Sequence, residues 1–163
     1  MIEHLAELYR SQYGLDVSVM TPEAVPAKMV NPLRQQIDVI ALLDYTFLLF
    51  PEAHLDPEAV IIGVTPLDLY DQRSHFRYLF GIKGDFSDPK AVVSSMRMTP
   101  EFYGEPANED VFFSRMRKLV SKYIGLLYYD LPTSGDPSSP MYDSILGPDD
   151  LDAMSEPLPV DSR

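Results

Sequence analysis

Residues 118–128 read KLVSKYIGLLY. They continue a segment from residue 109 in which apolar side chains recur every three or four positions, the spacing of a helix with one buried face. Asn108 is suited to cap its first turn, and the acidic Glu109 and Asp110 favour the positive end of the helix dipole. The sequence therefore predicts a helix over 109–128, with a buried face made of Phe112, Met116, Leu119, Tyr123 and Leu127.

The same segment carries three basic residues, Arg115, Lys118 and Lys122, spaced three and four apart on another face. We interpret them as a solvated basic stripe whose aliphatic stems cover apolar neighbours. The alternative is a lysine desolvated in a pocket, which with a suitable partner becomes a nucleophile or base. A basic face on an acidic protein is also suited to receive an acidic peptide or the chain's own acidic tail.

Length and composition set outer bounds on the molecule. The 163 residues predict one domain spanning 1–163, with a Pro-, Ser- and Asp-rich segment at 131–163 inside it. A net charge of -12 opposes binding to nucleic acid or an anionic membrane, because both require positive charge. There is no cysteine, which excludes disulfides, thiolate metal ligands and a cysteine nucleophile.

No targeting segment is predicted. Residues 1–10 lack the basic start and long apolar run of a signal peptide, and the apolar run 39–50 is too short to cross a bilayer. The compartment stays unknown, with the cytoplasm as the default, and the sequence does not set the oligomeric state.

Other elements follow from periodicity and from turn residues. Residues 2–13 predict a helix that stops at Gly14, and a second helix is expected from Asn31-Pro32 through Phe47, ended by Pro51. Residues 15–20 and 91–98 predict strands, 59–64 a buried central strand, and 76–82 an edge strand. A turn is expected at 84–89 and a short helix at 148–154, with Asp149 and Asp150 in its first turn.

Three stretches together resemble the archaemetzincin-like group of metzincin zinc proteases. The run 60–70, VIIGVTPLDLY, is similar to the family's strand ending in Gly-x-Thr-x-x-Asp. Phe80-Gly81 with 91–97 is similar to its next two strands. The third stretch is the helix 109–128 followed by 139–142, SPMY, where Met141 matches the methionine that lies beneath the metal.

The resemblance implies an α+β zincin-like fold: a small twisted mixed sheet, a backing helix, a site helix below the edge strand, and an irregular C-terminal segment. The metzincin signature is HExxHxxGxxH. With Gly125 on its glycine, Lys118 and Lys122 replace the two helix histidines, Leu119 replaces the general-base glutamate, and Tyr128 replaces the third ligand. An ammonium does not ligate zinc and leucine accepts no proton, so no zinc and no catalytic residue are predicted here.

Relocated metal ligands are the alternative. His4, His54 and His75 form no i, i+4 pair, and we interpret them as unrelated surface residues. His75 lies near the strand that would rim a cleft, together with Arg115 and Tyr129. The late acidic residues match no EF-hand spacing, which disfavours calcium. For Tyr128, filling of the vacated metal position and ordinary aromatic packing both stay open.

Three functional hypotheses follow. The favoured one is a catalytically inactive metzincin-like domain that binds an extended or acidic peptide, or serves structurally, without a cofactor. The second is a zinc protease of the same family whose ligands have moved to His75 and a carboxylate such as Asp68 or Asp71. The third is a generic α/β domain whose likeness is limited to its fold.

Overall fold

The computed structural model describes residues 1–51, 55–56, 58–84 and 89–160. Within these ranges the α-helices are α1 (Ile2–Tyr13), α2 (Val39–Leu49), α3 (Glu109–Leu127) and α4 (Pro148–Ala153). The strands are β1 (Val30–Asn31), β2 (Gln36–Asp38), β3 (Ile61–Thr65), β4 (Asp68–Tyr70), β5 (Gly81–Lys83) and β6 (Lys90–Ser94). The predicted mixed α/β class is confirmed.

The strands form two small mixed sheets instead of the single sheet that was expected. One has the order β1-β2-β4, with β1 antiparallel and β4 parallel to β2. The other has the order β3-β6-β5, with β3 parallel and β5 antiparallel to β6. An antiparallel bridge between Leu69 and Leu79 links the first sheet to the segment that leads into β5.

Strand β6 separates the two halves of the core. All five of its residues are buried, and alternate side chains enter different apolar clusters. Ala91 and Val93 pack on the side of α1 and α3, whereas Val92 packs with Ile37, Leu42 and Leu69 on the side of α2. The expectation that residues 59–64 form the central strand is therefore wrong, because β3 lies at the sheet edge and β6 at its centre.

Helix α3 is the central helix of the larger cluster, and α1 is fixed against it. The Tyr9 hydroxyl lies 3.0 Å from Ser121 Oγ and donates to the carbonyl of Arg117 at 3.2 Å. The hydroxyl of Tyr13 accepts from the backbone N–H of Leu158 at 3.1 Å, which holds the C-terminal segment against the same layer. Both predicted helices, 2–13 and 109–128, are confirmed, and Gly14 ends α1 in a left-handed conformation with φ 65.

The second helix begins later than predicted. Asn31 accepts from the N–H groups of Leu33 and Arg34, as a helix cap would, but Gln35 at φ 56 reverses the chain into the β1–β2 hairpin. The cap of α2 is Asp38, whose Oδ1 accepts from Ile40 and Ala41. Asn31 therefore makes the hydrogen bonds of a helix cap, but they stabilise the turn between β1 and β2.

Three strand predictions also need correction. Residues 15–20 form no strand, although their exposure alternates, because the Val17 carbonyl accepts from the Arg10 guanidinium instead of a neighbouring strand. The edge strand is limited to 81–83, and β6 ends at Ser94, whose hydroxyl donates to the Leu67 carbonyl at 2.7 Å. The predicted turn 84–89 falls largely on residues outside the described ranges.

The short C-terminal helix is confirmed as α4, with Asp149 and Asp150 in its first turn. Among the helices in the described ranges, none combines the length and apolar character that crossing a bilayer requires.

Candidate functional site

The candidate site is the segment of α3 that contains Lys118 and Lys122. The helix is capped by Asn108, whose Oδ1 accepts from Val111 N at 3.2 Å. Lys118 and Lys122 lie one turn apart, and each is 7 % exposed. Arg115 is 5 % exposed, so the interpretation of these three residues as a solvated stripe is wrong.

The C-terminal segment covers this face of the helix. The guanidinium of Arg115 donates from Nε and Nη2 to the two carboxylate oxygens of Asp152, at 2.8 and 2.6 Å, and from Nη1 to the Met98 carbonyl at 3.1 Å. Hydrogen bonding to Asp152 raises the pKa of Arg115. Lys118 Nζ donates to the backbone carbonyl of Asp152 at 2.9 Å. Of the two anionic partners considered for this face, the structure places the chain's own acidic segment there.

A second ion pair anchors the same segment. Arg117 donates from Nε and Nη2 to the two carboxylate oxygens of Glu156, both at 2.9 Å, and Ser114 Oγ donates to the same carboxylate at 2.7 Å. These contacts join residues about forty positions apart in sequence. The spacing of residues within a helix does not indicate contacts with residues so far along the chain. It therefore predicts a solvated face where the structure has a covered one.

Lys122 differs from the other cations on this face. Within the described residues its ammonium has no ion pair and no hydrogen bond. Burial lowers the pKa of Lys122, and the nearby Asp143 carboxylate opposes that shift. A buried amine without an acceptor favours its neutral form, since desolvation penalises the charged one.

Gly125 and Met141 are in direct contact. A Cβ at Gly125 would lie 2.7 Å from Met141 Sδ and 3.1 Å from a Leu158 methyl carbon, so a side chain there would require the Met141 side chain to shift. Met141 is 3 % exposed, and its carbonyl accepts from Ser134 N at 2.9 Å. A buried methionine beneath α3 agrees with the geometry that the resemblance implies.

The remaining signature positions are occupied by apolar and aromatic packing. Leu119 is 1 % exposed and belongs to the core. Tyr128 caps the C-terminus of α3, is 45 % exposed, and packs edge-on against Tyr129 with ring centroids 5.0 Å apart. Its exposure favours ordinary aromatic packing over the filling of a vacated metal position.

Of the three residues expected near a cleft, Arg115 lines the pocket that the structure places beside α3. Arg115 and Asp152 line a pocket of about 360 Å³ with residues of 100–111, but His75 and Tyr129 are not part of its wall. His75 is exposed, whereas Tyr129 is half-buried against the core.

The ligand set that a zinc ion requires is three or more His, Asp, Glu or Cys side chains around one point. The described residues contain no group of three or more His, Asp or Glu side chains placed to hold a metal. Asp68, proposed as a relocated ligand, accepts a bidentate pair of hydrogen bonds from Arg97, both at 2.7 Å. His4 packs against Phe113, and His54 lies outside the described residues. Lys118 uses its Nζ as a donor, which is the opposite of what a metal ligand does.

One contact at the site was missed by sequence reasoning. Tyr123 is 6 % exposed, and burial raises the pKa of its hydroxyl. A Cβ at Gly81 of β5 would lie 3.1 Å from that hydroxyl and 2.6 Å from the Val92 carbonyl. This close approach sets α3 beneath the edge strand. Gly81 and Tyr123 lie far apart in the sequence, and no motif connects them, so the sequence alone did not indicate this contact.

Comparison with known proteins agrees with this architecture. A crystal structure of a zinc-dependent peptidase from Methanocorpusculum labreanum superposes with a TM-score of 0.73 and 24% identity, covering 94% of this chain and 86% of that one. The malonate complex of archaemetzincin from Archaeoglobus fulgidus gives a TM-score of 0.71 and 23% identity, over 94% and 84% of the two chains. The chain therefore shares the fold of these two proteins.

The similarity in sequence covers a shorter part of the chain than the similarity in structure. The chain is 36% identical over 67 residues to archaemetzincin from Thermococcus kodakarensis and 37% identical over 68 residues to that from Methanocaldococcus jannaschii. The matched segment covers 41% and 42% of this chain but only 34% and 36% of those relatives. No family model matches the chain. The chain is therefore similar to archaemetzincins in fold over most of its length and in sequence over the matched segment, which spans about a third of those relatives.

Proposed function

We propose that this protein is a non-hydrolytic member of the archaemetzincin-like group, whose β5 edge binds an extended peptide and whose α3 holds no zinc. The observation that carries the proposal is the pair Lys118 and Lys122. They occupy signature histidine positions, both are buried, and Lys118 donates its amine to a carbonyl. The third signature position is Tyr128, and leucine at 119 supplies no general base.

The edge of β5 supports the peptide-binding part. In the described residues β5 pairs with a strand on one side only, namely β6. The Phe80 carbonyl accepts from Ser94 N at 2.8 Å, and Gly84 N donates to the Lys90 carbonyl at 2.7 Å, so every second residue of this segment turns its main chain toward β6. The main chain of Gly81 turns the other way, toward the side on which a peptide strand would be added through main-chain hydrogen bonds. An acidic preference has less support, because Asp152 and Glu156 already pair with the arginines of α3.

Metal content tests the first part of the proposal. Protein purified without added metal and dialysed should contain far less than one zinc per chain by elemental analysis. It should also leave unstructured peptides intact, with or without added zinc. One zinc retained per chain, or peptide hydrolysis that a chelator stops, would contradict the proposal. The matched control is the triple variant Lys118→His, Lys122→His, Tyr128→His, which should gain zinc because the helix then offers the signature ligands.

Peptide binding tests the second part. An immobilised mixture of random heptapeptides should retain the protein, and a sequence enriched from it should bind in solution. The same peptide with N-methyl groups at alternate residues should lose most of its affinity, because strand addition depends on its N–H groups. Equal binding of both peptides would rule out pairing at the β5 edge.

A further inference from the structure

Lys122 differs from the other cations of α3 in what surrounds its amine. Arg115, Arg117 and Lys118 each reach a carboxylate or carbonyl of the C-terminal segment. Lys118 and Lys122 are equally exposed and lie one turn apart on the same helix. Lys122 nevertheless has no acceptor among the described residues, so burial is not compensated by a hydrogen bond or an ion pair.

The consequence is an amine that retains its lone pair. An ammonium withdrawn from water without acceptors is costly, and the group relieves that cost by releasing its proton. The direction of the pKa shift at Lys122 agrees with this geometry, since desolvation is its largest cause. A neutral amine is the reactive form of lysine toward carbonyl carbon.

The local charges restrict the electrophile. The Asp143 carboxylate, in the segment after α3, acts electrostatically on Lys122. On α3 itself, the nearest cation in sequence on that face is Lys118, which donates to the Asp152 carbonyl. Asp143 and the overall charge of -12 repel anionic carbonyl compounds such as keto acids and sugar phosphates. A small uncharged aldehyde meets neither repulsion nor a requirement for an anion-binding pocket.

We propose that the ε-amine of Lys122 is a nucleophile that condenses with small uncharged aldehydes to form an imine. The nitrogen lone pair attacks the carbonyl carbon, and the new C–N bond forms as the carbonyl π bond breaks and its oxygen takes a proton from nitrogen. The hydroxyl then leaves as water with the second amine proton, and the C=N bond forms. No oxidant or reductant is consumed, and the aldehyde is the only co-reactant.

This activity goes beyond peptide binding at β5 and does not depend on it. It does require that Lys122 is not a metal ligand. Metal content and peptide affinity are therefore measured on the same preparation as the aldehyde labelling. Bound zinc or absent peptide binding would then count against the proposed function, and slow labelling of Lys122 would count against the imine chemistry.

The test is reductive trapping on the full chain. The protein is incubated near neutral pH with limiting propanal and sodium cyanoborohydride, which converts the imine to a stable propylamine, and sites are quantified by peptide mass spectrometry. Lys122 should be modified severalfold faster than the exposed Lys28, and faster than the equally buried Lys118. Modification of Lys28 ahead of Lys122 would overturn the proposal, because burial would then block the amine instead of activating it.

Variants and pH provide two independent checks. Lys122→Arg retains the charge but removes the nucleophile, so fast labelling should disappear, whereas Lys118→Arg should leave it intact. If Lys122→Arg fails to fold, the labelling rates of Lys122, Lys118 and Lys28 in the wild-type protein still decide between the two outcomes. As pH rises from neutral, labelling of Lys122 should level off at a lower pH than labelling of Lys28. Parallel pH profiles for the two lysines would contradict the proposal.

Discussion

Gly81 shows how one missing methyl group positions the site helix beneath the edge strand. A Cβ there would lie 2.6 Å from the Val92 carbonyl oxygen and 3.0 Å from the Tyr123 ring. The carbonyl belongs to the backbone of the central strand and cannot move aside cheaply. We expect Gly81→Ala to lower the free energy of unfolding by about 1–3 kcal/mol, as overpacking of a core does.

Urea denaturation of Gly81→Ala measures this effect. The control is Gly135→Ala, since a Cβ at Gly135 meets nothing within 4 Å and its stability should change by less than about 0.5 kcal/mol. Equal stability of Gly81→Ala and the wild type would mean that α3 does not press against β5 as described.

The sequence showed which residues occupy the signature positions, but it did not show which side chains would cover them. Gly125 and Met141 were placed together by the resemblance, and the structure brings them into contact. The burial of Lys118 and Lys122 was not predicted, because the covering residue Asp152 lies 34 residues beyond Lys118. Helical periodicity reports on neighbours within a turn or two, so it treats a charged face as a solvated one.

Among the secondary-structure elements, the helices were predictable from local sequence, whereas the order of the strands was not. Helices α1, α3 and α4 follow from caps, glycine stops and apolar spacing within their own sequences. Strand order does not, because which strand becomes central depends on pairing partners far along the chain. Residues 59–64 were the most β-branched run, yet β6, with its uninterrupted burial, took the central place.

Helix α2 gives a prediction for a single cap. Asp38 satisfies two N–H groups of the first turn, and its other oxygen accepts from Gln72 N at 3.0 Å. Asp38→Ala leaves all three donors without that carboxylate, so we expect a loss of about 1–2 kcal/mol in the free energy of unfolding. Asp38→Asn keeps an acceptor and should lose less, and Asp44→Ala on the exposed face of α2 serves as the neutral control. Equal effects at 38 and 44 would contradict the capping role.

The C-terminal segment gives a pH prediction. Hydrogen bonding to Arg117 lowers the pKa of Glu156 below its ordinary value of 4.5. A carboxyl group whose pKa is lower in the folded state stabilises the fold above its unfolded pKa and loses that contribution as pH falls through the folded one. The wild type should therefore exceed Glu156→Gln in stability at neutral pH, and the difference should shrink below about pH 4.5.

Urea titrations of both proteins at a series of pH values follow this difference. Glu23→Gln, at an exposed position outside the helices, provides the matched control and should change the free energy of unfolding by less than about 0.5 kcal/mol. A constant gap between the wild type and Glu156→Gln across the acidic range would remove Arg117 as the cause of the anchoring.

A largely buried ion pair links the two sheets, in addition to the Leu69–Leu79 bridge and the apolar packing between them. Asp68 lies on β4 of the first sheet, whereas Arg97 follows β6 of the second. The guanidinium of Arg97 is also stacked between the rings of Tyr78 and Phe102, at 3.8 and 4.6 Å from their centroids. The side chains of Asp68 and Arg97 are only 10% and 18% exposed, so each charge depends on the other for compensation.

Removing one partner should therefore cost more than removing both. Arg97→Met leaves the Asp68 carboxylate buried with Gln36 as its remaining side-chain partner, and we expect a loss of about 3–5 kcal/mol. The double variant Arg97→Met, Asp68→Asn should recover part of that loss, because no uncompensated charge remains. Arg73→Met is the control: its pair with Asp71 has an arginine that is 62% exposed, so it should cost no more than about 1 kcal/mol. Additive losses in the double variant would show that Asp68 and Arg97 act separately, and the sheets would then be joined by apolar packing and the Leu69–Leu79 bridge alone.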